Sequence, residues 1–191
     1  PETLSGFIDR FLVTWEAYQV PVIIVFHKSD IYNTKKKEKF EKLKLQYERI
    51  GYPVYSMSLT EKKGIEQVKD LLKDKTTLLS GHSGVGKSSF INSIFPDFDL
   101  RIQEVSNWSG KGLHTTTFAE MFELPFGGKI IDTPGMREFA MMDIEPHELS
   151  HYFPEMKARL NNCRFNNCMH IEEPGCAIKV AVEENRISPD R

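Results

Sequence analysis

The segment Gly81-His-Ser-Gly-Val-Gly-Lys-Ser-Ser89 satisfies G-x-x-x-x-G-K-S/T at every position. Glycines at these places let successive backbone N–H groups converge on an anion, and a following helix adds the partial positive charge of its N-terminus. In such a loop Lys87 reaches phosphate oxygens and Ser88 ligates Mg2+. Gly81, His82, Ser83, Gly84, Val85, Gly86, Lys87, Ser88 and Ser89 are the candidate phosphate-binding residues. An ordinary strand–turn–helix with an incidental lysine is the competing reading, and the complete match between an apolar run and a helical pattern disfavours it.

Downstream, Ile130-Ile-Asp-Thr-Pro-Gly135 ends an apolar run on Asp132, which is placed to hold Mg2+ through water, while the Gly135 N–H can approach a γ-phosphate. Between the two motifs lies Gly110-Lys-Gly-Leu-His-Thr-Thr-Thr117. A threonine hydroxyl from such a loop completes a Mg2+ shell while γ-phosphate is present and lets go afterwards. Thr115, Thr116 and Thr117 all remain candidates, Thr116 being the central one. A polar turn before a strand is the plainer reading for any one of them.

Lys28 and Asp30 follow the apolar run Pro21–Phe26. A carboxylate there can accept from N1 and N2 of guanine, a donor pair that adenine lacks. Ser56-Met-Ser58 ends the next strand, where proteins with similar motifs place a backbone N–H on guanine O6, which makes Ser56 a candidate. Along the chain the order is base, base, phosphate, switch, switch. That is a rotation of the usual nucleotide-site order. Circular permutation accounts for it, because loops at the carboxyl ends of parallel strands stay on one edge however the chain is cut.

A different chemistry occupies Cys163-x4-Cys168-x-His170-x5-Cys176. Three sulfurs and one imidazole suit tetrahedral Zn2+, and four protein ligands leave no open position for catalysis. We expect one structural zinc whose binding contributes roughly 10 kcal/mol or more to folding of this polar segment. Three free cysteines with a surface histidine would make the spacing accidental. Lys157, Arg159, Arg164 and Lys179 nearby offer either a modest phosphate-binding surface or scattered solvated charge.

The elements that must position these groups are legible from periodicity. Leu4, Phe7, Ile8, Phe11, Leu12 and Trp15 predict an opening helix. Thr34 begins a lysine-rich helix with Phe40, Leu43, Tyr47 and Ile50 on one face, and Ile65, Val68, Leu71 and Leu72 mark another. Strands are expected at Val22–Phe26, Pro53–Ser58 and Thr76–Gly81. A pair then turns at Gly127-Gly128. The stretch Arg101–Thr117 reads as a functional loop, Glu145–Phe153 as helical, and Ala177–Asn185 as a last helix. Alternating strands and helices predict an α/β fold with a mainly parallel sheet. The lysines at 35–37 read as a solvated helix start.

The bulk composition sets limits. The 191 residues are 40% hydrophobic and 27% charged, with a net charge of −2, so the chain is globular and no polycation. No apolar run approaches membrane-spanning length and no leader opens the chain, which predicts no membrane partner. The start at Pro1 rather than Met is expected of a fragment or of an incompletely ordered protein. Three clustered cysteines beside a histidine predict metal in a reducing, cytoplasmic setting.

Taken together, Asp9–Ala17, Gly81–Ser89, Gly112–Thr117, Asp132–Phe139 and Cys163–Cys176 resemble, in order, segments of the circularly permuted ribosome-assembly GTPases of the RsgA (YjeQ) family. The resemblance implies a permuted P-loop NTPase domain of three α/β/α layers over residues 1–142. A small helical zinc-binding C-terminal domain over 143–191 would follow. It implies a monomeric GTPase that takes GTP/GDP with Mg2+ and is stimulated by the small ribosomal subunit and its rRNA, acting late in maturation of that subunit. It also implies an N-terminal OB-fold ahead of the GTPase domain, a domain expected to be missing here. His27 departs from the family asparagine that ties the base-reading loop to the phosphate loop, so nucleotide affinity is expected to be lowered and His27→Asn to tighten GTP and GDP together. Met136 stands where many GTPases carry a water-positioning glutamine, which leaves His114 as the candidate for that role. Two rival readings are a nucleotide-gated RNA-binding module with incidental hydrolysis, and a GTPase working away from ribosomes.

Overall fold

Residues 4–82, 84–95, 120–132 and 144–191 are described by the structure, a computed structural model. The opening apolar period produces helix α1, Ser5–Ala17, but its most buried residues are Asp9, Leu12, Val13 and Thr14. Phe7 and Phe11 are only half-buried and pack on each other at 4.8 Å. The rotation of the face relative to the apolar pattern follows from Asp9, whose carboxylate is drawn inward by partners described below. The lysine-rich pattern forms α2, Thr34–Arg49, started by Asn33, whose side chain accepts from the Lys36 N–H. Leu43 and Tyr47 are its buried residues, as the period requires.

Strands β1, Ile24–His27, and β2, Val54–Met57, form a two-stranded sheet. A three-stranded sheet has the order β3 (Thr76–Leu78), β5 (Lys129–Asp132), β4 (Glu120–Glu123). β3 and β5 are parallel, with Leu78 opposite Ile131, and β4 runs antiparallel to β5. The ladders among the described residues are thus divided between two sheets, with one antiparallel edge. At the turn from β4 to β5, Gly128 has φ +90°, and a Cβ there would lie 2.3 Å from the Leu72 carbonyl oxygen, so only glycine fits.

Two compact units emerge. One comprises residues 25–32 and 55–132 as far as they are described. Helices α3 (Ile65–Leu72) and α4 (Lys87–Ile94) supply Val68, Leu72, Phe90, Ile91 and Ile94 to its core, which closes on Met57, Leu124 and Ile130. Because β3 and β5 are parallel, the segment after Leu78 and the end of β5 at Asp132 lie on the same edge of their sheet.

The other unit comprises residues 4–24, 33–54 and 144–191, so α1 and α2 group with the C-terminal segment. The stretch expected to be one helix over Glu145–Phe153 contains only a 3-10 turn, Leu149–Tyr152, followed by a one-turn helix α5, Pro154–Lys157. Pro154 explains the break: the residue before a proline is disfavoured in the helical region, and Phe153 is extended at φ −104°, ψ 106°. Helix α6, Ala177–Glu183, packs Ile178 and Ala181 with Cys176 and Ile187.

This unit is stapled by Arg191. Its guanidinium donates to both carboxylate oxygens of Glu155, at 2.6 and 3.1 Å, and to Asp9 Oδ1. The Tyr47 hydroxyl donates to the same Asp9 oxygen at 2.8 Å, and the Phe153 ring centre lies 4.6 Å from the guanidinium carbon. The Arg191 side chain is 1% exposed and that of Glu155 5%, so removal of Arg191 leaves Glu155 buried without its cation, and removal of Glu155 leaves the buried guanidinium with Asp9 alone. Glu155→Ala is expected to destabilise the chain by about 3–5 kcal/mol, read as a lower urea midpoint.

Candidate functional site

The phosphate loop is built by local backbone geometry. Gly81, Gly84 and Gly86 all have positive φ, and the Val85 N–H closes a turn on the His82 carbonyl at 3.3 Å. The Gly86 carbonyl accepts from Phe90 N–H at 2.9 Å and starts α4, so Lys87, Ser88 and Ser89 form its first turn. Ser88 and Ser89 are exposed there, consistent with a hydroxyl offered to a cation or phosphate at a helix N-terminus. Lys87 Nζ donates to the carbonyls of Gly81 at 2.5 Å and His82 at 3.0 Å, which folds the ammonium back over its own loop.

The base-reading candidates sit against this loop. His27, the last residue of β1, has Nδ1 2.8 Å from the Val85 carbonyl oxygen. A carbonyl can only accept, so Nδ1 carries the proton. The imidazole also lies over Gly86, where a Cβ would meet Nδ1 at 2.5 Å; with φ +110° as well, position 86 admits only glycine. Lys28 Nζ donates to the Gly84 carbonyl at 2.9 Å. The asparagine departure therefore does not sever the two loops: the histidine makes the tie with its own ring nitrogen.

Lys28 is left-handed at φ +62° and caps a 3-10 turn, Ser29–Ile31, that carries Asp30. Ser58, fully buried, donates its hydroxyl to Asp30 Oδ1 at 2.6 Å and accepts from the Glu61 N–H at 3.1 Å. The Ser58 bond is the first cause that holds the Asp30 carboxyl below its ordinary value, keeping it an acceptor. Sequence reasoning placed Ser56 here and missed Ser58 as the residue that aims the aspartate. The signal was its place one residue beyond β2, where a short hydroxyl can turn back onto a neighbouring loop. Ser56 lies within β2 with its side chain exposed.

Asp132 closes β5. Ser83, His114, Thr115, Thr116, Thr117, Gly135 and Met136 lie outside the described residues.

In the other unit Cys163, Cys168, His170 and Cys176 bring one ligand atom each to within 4.8 Å of one another. Cys163 follows the 3-10 turn Leu160–Asn162, and Cys176 is the N-cap of α6. The Arg164 N–H bonds the Gly175 carbonyl at 3.0 Å, clasping the two arms of the segment. His170 Nδ1 lies 3.7 Å from Cys163 Sγ and 3.3 Å from Cys176 Sγ. A tetrahedron with Zn–S of about 2.3 Å and Zn–N of about 2.0 Å has S···N edges of about 3.5 Å, so the residues fit this ion. Burial, first among the causes, lowers His170 from its ordinary value and favours the neutral imidazole that ligates. Cys176 Sγ also accepts from the Lys179 N–H at 3.5 Å, a bond that steadies a thiolate.

Comparison with known proteins identifies the family and the fold. A sequence model of the RsgA GTPase family matches residues 1–142. The small ribosomal subunit biogenesis GTPase RsgA of Bacteroides fragilis is 47% identical across all of this chain, which covers 62% of that protein. The protein of the same description from Flavobacterium psychrophilum is 48% identical, again over the whole chain and 59% of its own length. The crystal structure of YjeQ from Thermotoga maritima superimposes with a TM-score of 0.84 at 38% identity, covering 100% of this chain and 63% of the other. That of YloQ, a circularly permuted GTPase, does so with a TM-score of 0.79 at 33% identity, covering 99% and 59%. The chain spans about three fifths of the length of the curated relatives it matches. Its fold is accordingly the circularly permuted P-loop GTPase fold, with a small helical C-terminal region that bears a potential metal-binding cluster.

Loss of the imidazole removes one hydrogen bond between the loops, worth about 0.5–1.5 kcal/mol. His27→Ala should therefore weaken GDP binding by about 2- to 12-fold in a fluorescent-nucleotide titration. Gly86→Ala should weaken it further. His27→Asn, which restores a donor, should leave the dissociation constant within about 2-fold, not tighten it.

Proposed function

The chain belongs to the RsgA GTPase family, and on that premise we propose that it hydrolyses GTP to GDP and phosphate in late maturation of the small ribosomal subunit, which stimulates it. The observation that carries this reading is the double tie between base-reading and phosphate loops, His27 to Val85 and Lys28 to Gly84. That tie joins the segment carrying Asp30 to the glycine loop, which supports recognition of one guanine nucleotide by both.

In this reading Asp30 accepts from guanine N1 and N2, held in aim by Ser58, and a backbone N–H near Ser56 meets O6. The N–H groups of the loop from Gly81 to Ser89 cradle the phosphates. Lys87 exchanges its carbonyl partners for β- and γ-phosphate oxygens, which bear the charge that grows as the terminal P–O bond breaks. Ser88, Asp132 and a threonine of the run 115–117, Thr116 being central, would hold Mg2+, which when bound would supply positive charge against the phosphates. Water attacks the γ-phosphorus, its proton passes to phosphate, and GDP leaves with the bridging oxygen. His114 orients that water in place of the side chain that Met136 does not provide, and the Gly135 N–H meets the γ-phosphate.

The division into a nucleotide domain over 1–142 and a zinc-bearing domain over 143–191 belongs to the same proposal, supported by the extent of the family match. So do a single structural Zn2+ on Cys163, Cys168, His170 and Cys176, contacts with rRNA, a monomeric state and a cytoplasmic setting. Among the described residues no helix is long and apolar enough to cross a membrane.

Phosphate release from GTP, measured with and without purified small subunits, tests the reading. Turnover should be slow alone and rise on adding subunits, and Lys87→Ala should lower it by about 100- to 1,000-fold. Unchanged turnover with subunits present, alongside GTP-dependent co-sedimentation, would favour a nucleotide-gated binding module. No co-sedimentation would point to a GTPase working elsewhere.

A further inference from the structure

Glu173 lies between ligands in sequence but outside the ligand cluster. Among the described residues the cluster comprises only the three cysteines and His170. The Glu173 carboxylate is instead occupied by backbone. Oε1 accepts from the Met169 N–H at 2.7 Å, and Oε2 accepts from the N–H groups of Ile171 at 3.0 Å and Glu172 at 3.1 Å. Two of these donors flank His170 directly, and His170 itself is left-handed at φ +64°.

That conformation is costly for a residue with a side chain, by about 1–2 kcal/mol. It turns neighbouring N–H groups inward into a concavity that calls for an anion. Here the anion is a side chain of the same loop. Charge-assisted bonds of this kind are roughly twice as strong as neutral ones, and three converge on one group. The turn that aims Nδ1 of His170 at the sulfurs of Cys163 and Cys176 is thus held by Glu173, not by a ligand bond.

We propose that Glu173 is the positioning residue of the metal centre: its carboxylate holds the His170 turn in ligating geometry and thereby sets the affinity for the ion. The proposal rests on the reading of the cluster as a zinc site. Glutamine at this position would keep one oxygen acceptor but turn an NH2 group towards inward-facing N–H donors. Aspartate would keep the charge on a stem shorter by one methylene. Glu172, exposed and adjacent, provides the control for charge alone.

The test is a titration of the full chain with Co2+, followed by its d–d and thiolate charge-transfer absorption, and with Zn2+ in competition with a chromogenic chelator. Wild type and Glu172→Gln should bind one ion equally. Glu173→Gln should bind it about 10- to 100-fold more weakly, with helix content by circular dichroism retained. Glu173→Asp should fall between them, and it carries the comparison if the glutamine variant does not fold. Equal affinity in wild type and both Glu173 variants, or equal weakening by Glu172→Gln, would overturn the inference alone. A wild-type chain that takes up neither ion would overturn the zinc reading and the inference with it.

Discussion

One imidazole N–H joins segments 58 residues apart, the end of β1 and the glycine loop. The Val85 carbonyl belongs to a turn that makes no ladder, so it needs a donor from elsewhere. His27 supplies that donor from the end of β1, and the flat ring then requires bare backbone at Gly86. Once the ring is seated, Lys28 can reach the Gly84 carbonyl and Asp30 follows within the same turn. A permuted chain order has no bearing on such contacts, because they form between strand ends and not between sequence neighbours.

The same economy recurs at Ser58. A buried hydroxyl spends its proton on Asp30 and its lone pair on a backbone N–H, so the aspartate is aimed by a residue that itself has no exposed surface. Recognition of a base edge needs an acceptor fixed in direction, and a surface carboxylate on a 3-10 turn would otherwise rotate freely.

In the other unit, side-chain charge performs work that regular structure does not. The helices α5 and α6 are short, and the segment between them is polar. Arg191 ties Glu155 to Asp9, with Tyr47 completing the set, and Glu173 ties the turn around His170. Both devices place a carboxylate where several donors converge, which fixes the direction of segments that no long helix or ladder holds.

How much was legible follows from the range of each interaction. The phosphate loop, the cysteine–histidine spacing and most helices are local patterns of residue type, and the amino-acid order was enough to read them. It also settled the permutation, since motif order is a property of sequence. What lay beyond it were choices made by partners distant in the chain. The buried face of α1 turned towards Asp9 because Tyr47 and Arg191 await it, and no period in residues 5–17 encodes that. His27 read as a broken tie because its residue type differs, whereas its ring nitrogen meets Val85 all the same. Ser58 and Glu173 carry no motif of their own. Hydrogen bonds are decided by direction and distance between atoms, and only the folded chain fixes those.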